Sequence, residues 1–280
     1  MLNTLILEMK IIKKKTKNIF TKTKLPGCDF VINQYVGCGH ACLYCYANAI
    51  CKWLWRMKGK KNYGKWGSWV EVRVNAPELV KGKKIKGLVW MSSISDPYQP
   101  IERKLKLTRR ILENMDKNIE LAIQTKSNLI LRDIDLFKKF KKIEIGLTIN
   151  GFEGKIKELF EPNSSTHKER VETLKILKEN GIKTYAFVSP IIFNLVNVKK
   201  CIKETKNFVD DYWFEILNLR ASGKEFQDIL RKRFSESYQM MMNKGKFRKF
   251  VKNLKEIIKK AKIKTPGIVI HYPEFKIIKV

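Results

Sequence analysis

Five short, β-rich apolar runs recur along the chain, at residues 87–91, 119–125, 143–149, 183–188 and 212–217, with helical patterns between them. Each intervening segment is long enough to cross back over a sheet, so successive strands can lie parallel with helices outside. In the first crossover Ile101, Leu105, Ile111, Leu112 and Met115 keep near one helical face. In another, Thr166 and Glu169 form a capping box ahead of Val171, Leu174 and Leu177, and Gly181 supplies the stop. The period is not that of a solenoid repeat. An α/β fold follows, with ligand chemistry expected on the rim where parallel strands end. Residues 92–100, 125–127, 148–151 and 189–190 all fall just after strands read in this way.

The chemistry-bearing motif precedes these strands. Cys38, Cys42 and Cys45 are separated by three residues and then two, close enough for one loop to bring three sulfurs around a single inorganic centre. Four cysteines normally close a four-iron cluster. Three would leave one iron open to a substrate or cofactor, and an open coordination position marks a reactive centre. A zinc site with His40 as fourth ligand is the alternative, although no second ligand pair follows at the usual distance. Disulfides do not suit a 280-residue chain with six cysteines and no secretory signal. Cys28, Cys51 and Cys201 are scattered and read as packing residues.

The words around this loop narrow the reading. Asn33-Gln34-Tyr35-Val36-Gly37-Cys38-Gly39-His40 runs into Tyr44-Cys45-Tyr46-Ala47. Three further words follow in order: SSISDPYQP at 92–100, QTKS at 124–127, and FEPN at 160–163 with Arg170 beyond it. Over residues 33–190 the chain resembles the radical S-adenosylmethionine (SAM) superfamily, in the branch related to spore photoproduct lyase and labelled DNA repair photolyase-like.

The resemblance implies a partial six-stranded β/α barrel, a [4Fe-4S] cluster on Cys38, Cys42 and Cys45, and SAM chelated at the open iron. It implies that an electron from the cluster cleaves the sulfonium, giving a 5′-deoxyadenosyl radical that takes hydrogen from a substrate. An external electron donor of the ferredoxin or flavodoxin type is the implied partner. By the same resemblance the backbone near Tyr44 meets the adenine. Ser93, Ser95 and Asp96 contact the methionyl part of SAM, and Lys126 sits near its carboxylate or ribose. Thr148, Asn150 and Arg170 are further candidates that would serve equally well as loop supports. Tyr35 and Tyr98 are either hydrogen relays or packed aromatics.

The chain departs from the pattern at one point. Spore photoproduct lyase uses a cysteine as hydrogen donor where this chain has Ser93, and no cysteine lies between Cys51 and Cys201. A serine O–H is too strong a bond to return a hydrogen atom to a carbon radical. The shared scaffold is therefore expected to act on something other than spore photoproduct.

Composition bears on the substrate. With 58 basic and 27 acidic residues the formal charge is +31, which favours polyanions such as DNA or RNA. Large aromatics interleave with basic residues in Trp53-Leu54-Trp55-Arg56 and in KKNYGKW at 60–66, a pattern suited to stacking unpaired bases. Lysine enrichment also accompanies AT-rich genomes and hot habitats, and the tryptophans could simply wall the loop from water. The competing substrate classes are a peptide or small metabolite, and the competing non-enzyme is a zinc- or cluster-stabilised nucleic-acid-binding module.

No apolar run is long enough to span a membrane, and lysines follow rather than precede the apolar opening, so a cytoplasmic protein is expected. The organisation read from the sequence is a basic arm at 1–29, a core at 30–220, and a C-terminal extension at 221–280. That extension reads as one or two basic helices and a short strand at 268–272, which either joins a sheet edge or closes a barrel seam.

Overall fold

The structure, a computed structural model, describes residues 9–57, 59 and 64–280. Residues 2–8 of the apolar opening and residues 60–63 of the second basic–aromatic segment lie outside the described residues.

Two sheets organise the described chain. Strands β1 (Lys10–Lys14), β4 (Tyr35–Val36) and β5 (Trp69–Arg73) make a small one, with β5 in the centre, parallel to β1 and antiparallel to β4. The larger sheet adds β2 (Phe20–Lys22), β3 (Phe30–Ile32), β6 (Leu88–Met91), β7 (Glu120–Thr125), β8 (Ile143–Thr148), β9 (Lys183–Ile191), β10 (Asp211–Ile216), β11 (Ile268–Ile270) and β12 (Lys276–Ile278). Its spatial order is β12-β11-β10-β9-β8-β7-β6-β3-β2. From β3 to β11 every pairing is parallel, and only the outermost β2 and β12 run antiparallel. The six strands β3 and β6–β10 form the expected partial barrel.

The helices are α1 (Tyr46–Met57), α2 (Ala76–Val80), α3 (Glu102–Leu105), α4 (Leu107–Asn114), α5 (Ile134–Phe137), α6 (Gly154–Phe160), α7 (His167–Glu179), α8 (Val198–Thr205), α9 (Lys224–Arg233), α10 (Ser235–Met242) and α11 (Lys244–Ala261). The core lies between strands and helices: Leu121, Ile145, Val188 and Phe214 from the sheet meet Ile111, Leu174 and Ile202 from the helices, all buried. The capping box opens α7 as read, with Thr166 Oγ1 accepting from Glu169 N and Glu169 Oε2 accepting from Thr166 N. Gly181, at φ +77°, ends it.

Several expectations need correction. The single helix read across residues 101–115 is two, broken at Lys106 with φ +49°. The buried Glu102 carboxylate takes the Thr108 N–H at the start of α4 (3.0 Å), and also binds Tyr35 Oη (2.5 Å) and Arg132 Nη2 (2.8 Å). A side chain capping its own successor helix requires the chain to turn between them. The lysine-rich arm carries β1 and β2, and β2 pairs with β3 at the edge of the large sheet. The C-terminal extension holds three helices, where one or two were read, and β11 joins beside β10. Cys51 and Cys201 are buried as expected, but Cys28 is only half-buried. Strand β9 runs on through Ser189 and Pro190, which were read as a loop.

Side chains alternate across each barrel strand. On β10, Tyr212, Phe214 and Ile216 face the helices, and Tyr212 Oη meets Thr205 of α8 at 2.7 Å. Trp213 and Glu215 therefore point into the barrel. Gly146 of β8 lies on that inner side, beside its cross-strand neighbour Tyr185. A Cβ built on Gly146 would stand 2.1 Å from the Tyr185 ring, so the absent side chain is what lets that ring fill the barrel. Gly146→Ala should destabilise the fold by about 1–3 kcal/mol, the usual cost of overpacking. The check is a lowered urea midpoint with an unchanged slope.

Candidate functional site

Strand β3 leads through Asn33 and β4 into the loop that bears the three cysteines. Gly37, at φ +87°, makes the bend, and a Cβ there would meet the Trp69 ring at 2.6 Å and its carbonyl oxygen at 2.8 Å. Beyond the bend the loop is held from both sides. Gln99 donates to the Gly37 carbonyl (3.1 Å) and accepts from Gly39 N (2.7 Å). Asn163 donates to the Gly39 carbonyl (2.9 Å), and Leu43 N donates to the Phe160 carbonyl (2.9 Å). Gln99 belongs to the word at 92–100 and Asn163 to the word at 160–163, so these distant motifs are the loop's clamps.

Cys38 and Cys42 are buried, Cys45 is half-buried, and all three are free thiols. Burial pushes each thiol up from its ordinary value. Further causes are Asp96 and the other two cysteines around Cys38, and Glu161 near Cys42, with Lys126 opposing at Cys42 and Cys45. Three thiols grouped on one loop, costly to ionise alone, are what a cationic centre binds and deprotonates. The donor set therefore fits a cluster bound through three thiolates. His40, the proposed fourth zinc ligand, donates from Nδ1 to the Asn163 carbonyl (2.9 Å) and leaves Nε2 3.4 Å from Asp96 Oδ2. Among the described residues, no group of three His, Cys, Asp or Glu side chains forms a site for a single metal ion.

The other candidate residues gather on the same rim. Asp96 accepts from Thr125 Oγ1 (2.6 Å), Lys126 N (2.9 Å) and Tyr98 N (2.8 Å), so one carboxylate ties the loop after β6 to the loop after β7. Burial would raise its pKa, but His40 and these donors hold it below the ordinary carboxylate value. Ser93 is fixed by Asn33, whose Oδ1 accepts from Ser93 N (2.8 Å). Ser95 Oγ is buried without a hydrogen-bond partner among the described residues. Lys126 Nζ donates to Thr148 Oγ1 (3.2 Å) and stands 5.9 Å from the centre of the Tyr44 ring.

Beneath them lies a buried charge centre. Arg170 is fully buried and donates to Glu161, to the Thr148 carbonyl (3.0 Å), to the Ser165 carbonyl (2.9 Å) and to Ser164 Oγ (3.3 Å). These contacts tie the end of β8 to the turn between α6 and α7. Tyr44 Oη and Asn150 Nδ2 also donate to Glu161, the latter at 2.8 Å. Tyr35 and Tyr98 are packed aromatics: Tyr35 is bonded to Glu102, and Tyr98 donates to the buried Asp133 (3.0 Å).

Sequence reasoning quoted Glu161 within a motif but gave it no role; a carboxylate in a turn between helices, nine residues before an arginine, was the available signal. It also passed over Tyr46, which donates to the Ser93 carbonyl (2.6 Å), and Glu215, the one charge inside an otherwise apolar strand core. Among the described residues of the basic–aromatic segments, two of the three tryptophans are packed. Trp55 and Trp66 pack against Trp69, with centroids at 4.3 and 5.9 Å, and Trp53 is exposed.

Comparison with known proteins gives the family and the fold. The Radical SAM superfamily model matches residues 32–209. An uncharacterized protein of Methanocaldococcus jannaschii is 52% identical over 264 residues, covering 94% of this chain and 99% of its own length. An uncharacterized protein of Acidianus two-tailed virus is 31% identical over 217 residues, 72% of this chain and 71% of its own. A variant of spore photoproduct lyase, solved with AdoMet and dinucleoside spore photoproduct bound, superposes with a TM-score of 0.56 at 16% identity. That match covers 80% of this chain but 66% of the lyase, and at this identity it speaks to the fold.

Burial alone would raise the Glu161 carboxyl, but Arg170, Lys126 and Tyr44 together bring it down from 4.5 to about 2. A depressed folded pKa contributes stability that is complete above the unfolded value and is lost as pH falls through the folded one. Unfolding free energy should therefore decline between about pH 4.5 and 2 through this group. Glu161→Gln, which leaves Arg170 buried without its counter-charge, should cost about 3 kcal/mol or more at pH 7 and flatten that acid limb. Urea titrations across the pH range read both effects.

Proposed function

Because the chain belongs to the radical SAM superfamily, an enzyme family whose cofactors are a [4Fe-4S] cluster and SAM, we propose that it abstracts hydrogen from a nucleic-acid base in a repair or modification reaction. When bound, the cluster supplies the electron that splits SAM into methionine and the 5′-deoxyadenosyl radical that takes a substrate hydrogen. The observation that carries the reading is the trio of free thiols on one doubly clamped loop, beside a rim lined by Ser95 and Lys126.

We assign Cys38, Cys42 and Cys45 as the cluster ligands. The unpartnered Ser95 hydroxyl, with Ser93 beside it, is assigned to the methionyl end of SAM, where a buried donor gains most from a new acceptor. Lys126 has three N–H donors and gives one to Thr148, so the others are assigned to the SAM carboxylate or ribose. Tyr44 is assigned to the adenine through its backbone. Asp96, Thr148, Asn150 and Arg170 position these groups by holding the rim.

The charge of +31 supports a polyanionic substrate, with residues 30–220 as the catalytic core and the basic flanks as extensions that help hold phosphates. Trp53, exposed on α1, is an aromatic free to stack on an unpaired base. Among the described residues no helix is long and apolar enough to cross a membrane. We place the enzyme in the cytoplasm, where thiols stay reduced and an external ferredoxin- or flavodoxin-type donor supplies the electron.

Protein reconstituted with iron and sulfide without oxygen should form 5′-deoxyadenosine when given SAM and dithionite. Cys38→Ala, Cys42→Ala and Cys45→Ala should each lose iron and abolish that product. A fully loaded wild type that makes none would overturn the assignment. Binding to single-stranded DNA or RNA should weaken linearly on a log–log plot against salt. Absence of such binding would turn the substrate assignment to a peptide or small metabolite.

A further inference from the structure

Across the barrel mouth from the cysteine loop lies a polar group that none of the roles above uses. Three adjacent strand ends, β9, β10 and β11, bring together Ser189, Glu215 and His271. Ser189 Oγ donates to Glu215 Oε2 (2.6 Å), and His271 Nε2 meets Glu215 Oε1 at 2.9 Å. The pairing of β9 with β10 slips here, with Phe214 opposite Val188 but Ile216 opposite Ile191. One extra residue on β9 is a bulge, the usual device for re-aiming a side chain beside a site, and it turns Ser189 onto Glu215.

Glu215 is held but not sealed: its side chain is 25% exposed and that of His271 18%. Each carboxylate oxygen gives one lone pair to its holder and keeps another for a visitor. The neighbours face the reaction centre. Asn150 bridges from Glu161 to the Ser189 carbonyl (3.3 Å), joining this group to the buried charge centre under the cysteine loop. One pleat down are the half-buried aromatics Phe187 and Trp213, which are cross-strand partners, and Phe187 in turn pairs with Thr148, the acceptor for Lys126.

A carboxylate fixed by two donors, one pleat along from two half-buried aromatic residues inside a strongly basic protein, is not a phosphate site. It accepts N–H groups from something flat. Guanine offers N1–H and the 2-amino group side by side, matching two carboxylate oxygens. Thymine and uracil flank their single N3–H with carbonyl oxygens that a carboxylate repels. We propose that Glu215, positioned by Ser189 and His271, reads the paired N–H edge of a guanine-type base drawn into the barrel mouth and selects it over thymine. The inference rests on the nucleic-acid reading above and narrows it to a substrate class.

The test uses reconstituted protein and two single-stranded oligothymidylates, one with a single central guanine. Fluorescence anisotropy at fixed salt should show the guanine-bearing strand bound about 10-fold more tightly, the scale of one good bidentate base contact. Glu215→Gln, with its melting transition intact, should bring the two affinities together by weakening the guanine strand alone. Equal binding of both strands by wild type would overturn the assignment while leaving nucleic-acid binding standing. So would a guanine preference that survives in Glu215→Gln. Failure to bind either strand would remove the nucleic-acid reading itself, and this inference with it. The wild-type comparison needs no variant, so the assignment can fail even if Glu215→Gln does not fold.

Discussion

The contact between Glu161 and Arg170 is the interaction on which the rest of the site is hung. Both side chains are fully buried, and each would be costly to desolvate without the other. The pair is tolerated because nearly every remaining valence is used: Arg170 reaches the Thr148, Ser165 and Ser164 oxygens, and Glu161 takes Tyr44, Asn150 and Ser164. Those partners come from the cysteine loop, the end of β8 and the turn between α6 and α7. One ion pair thus locks three segments, far apart in sequence, into a common rim. Asn163 of the same turn and Phe160 at the end of α6 hold the cysteine loop by its backbone.

Much of this was legible in the sequence where local chemistry decides local structure. The apolar runs at 119–125 and 143–149 became β7 and β8 almost unshifted, because Leu121, Ile123, Ile145 and Leu147 alternate onto the face buried under the helices. The Thr166–Glu169 box opened α7 because its hydrogen bonds lie within one turn. The spacing of the three cysteines already placed them on one loop, and that loop holds all three as free thiols. What could not be read depends on partners distant in the chain. Lys106 breaks a helix because Glu102 is anchored by Tyr35 and Arg132, which no periodicity reveals. The lysines of β1 look like a solvated tail until β5 is seen beside them. Trp55 and Trp66 look like stacking platforms until Trp69 is found between them.

The electrostatics have two scales. Over the whole chain the charge is strongly positive, a field that acts at range and is screened by salt. Around the cysteines the fixed charges are of both signs, Asp96 and Glu161 with Lys126 and Arg170, and Glu215 lies across the barrel mouth from them. A long-range field gathers polyanions without discrimination. The short-range pattern is where one unit of a polymer can be told from another.

The threefold grip on Asp96 has a consequence of its own. Because the Thr125 hydroxyl and two backbone amides from different loops converge on a single carboxylate, those loops form a yoke that cannot splay on one side only. Ordering of this wall is completed when the chain folds, before any small molecule arrives. An incoming ligand then meets a mould already cast, and little of its affinity is diverted into arranging the protein around it.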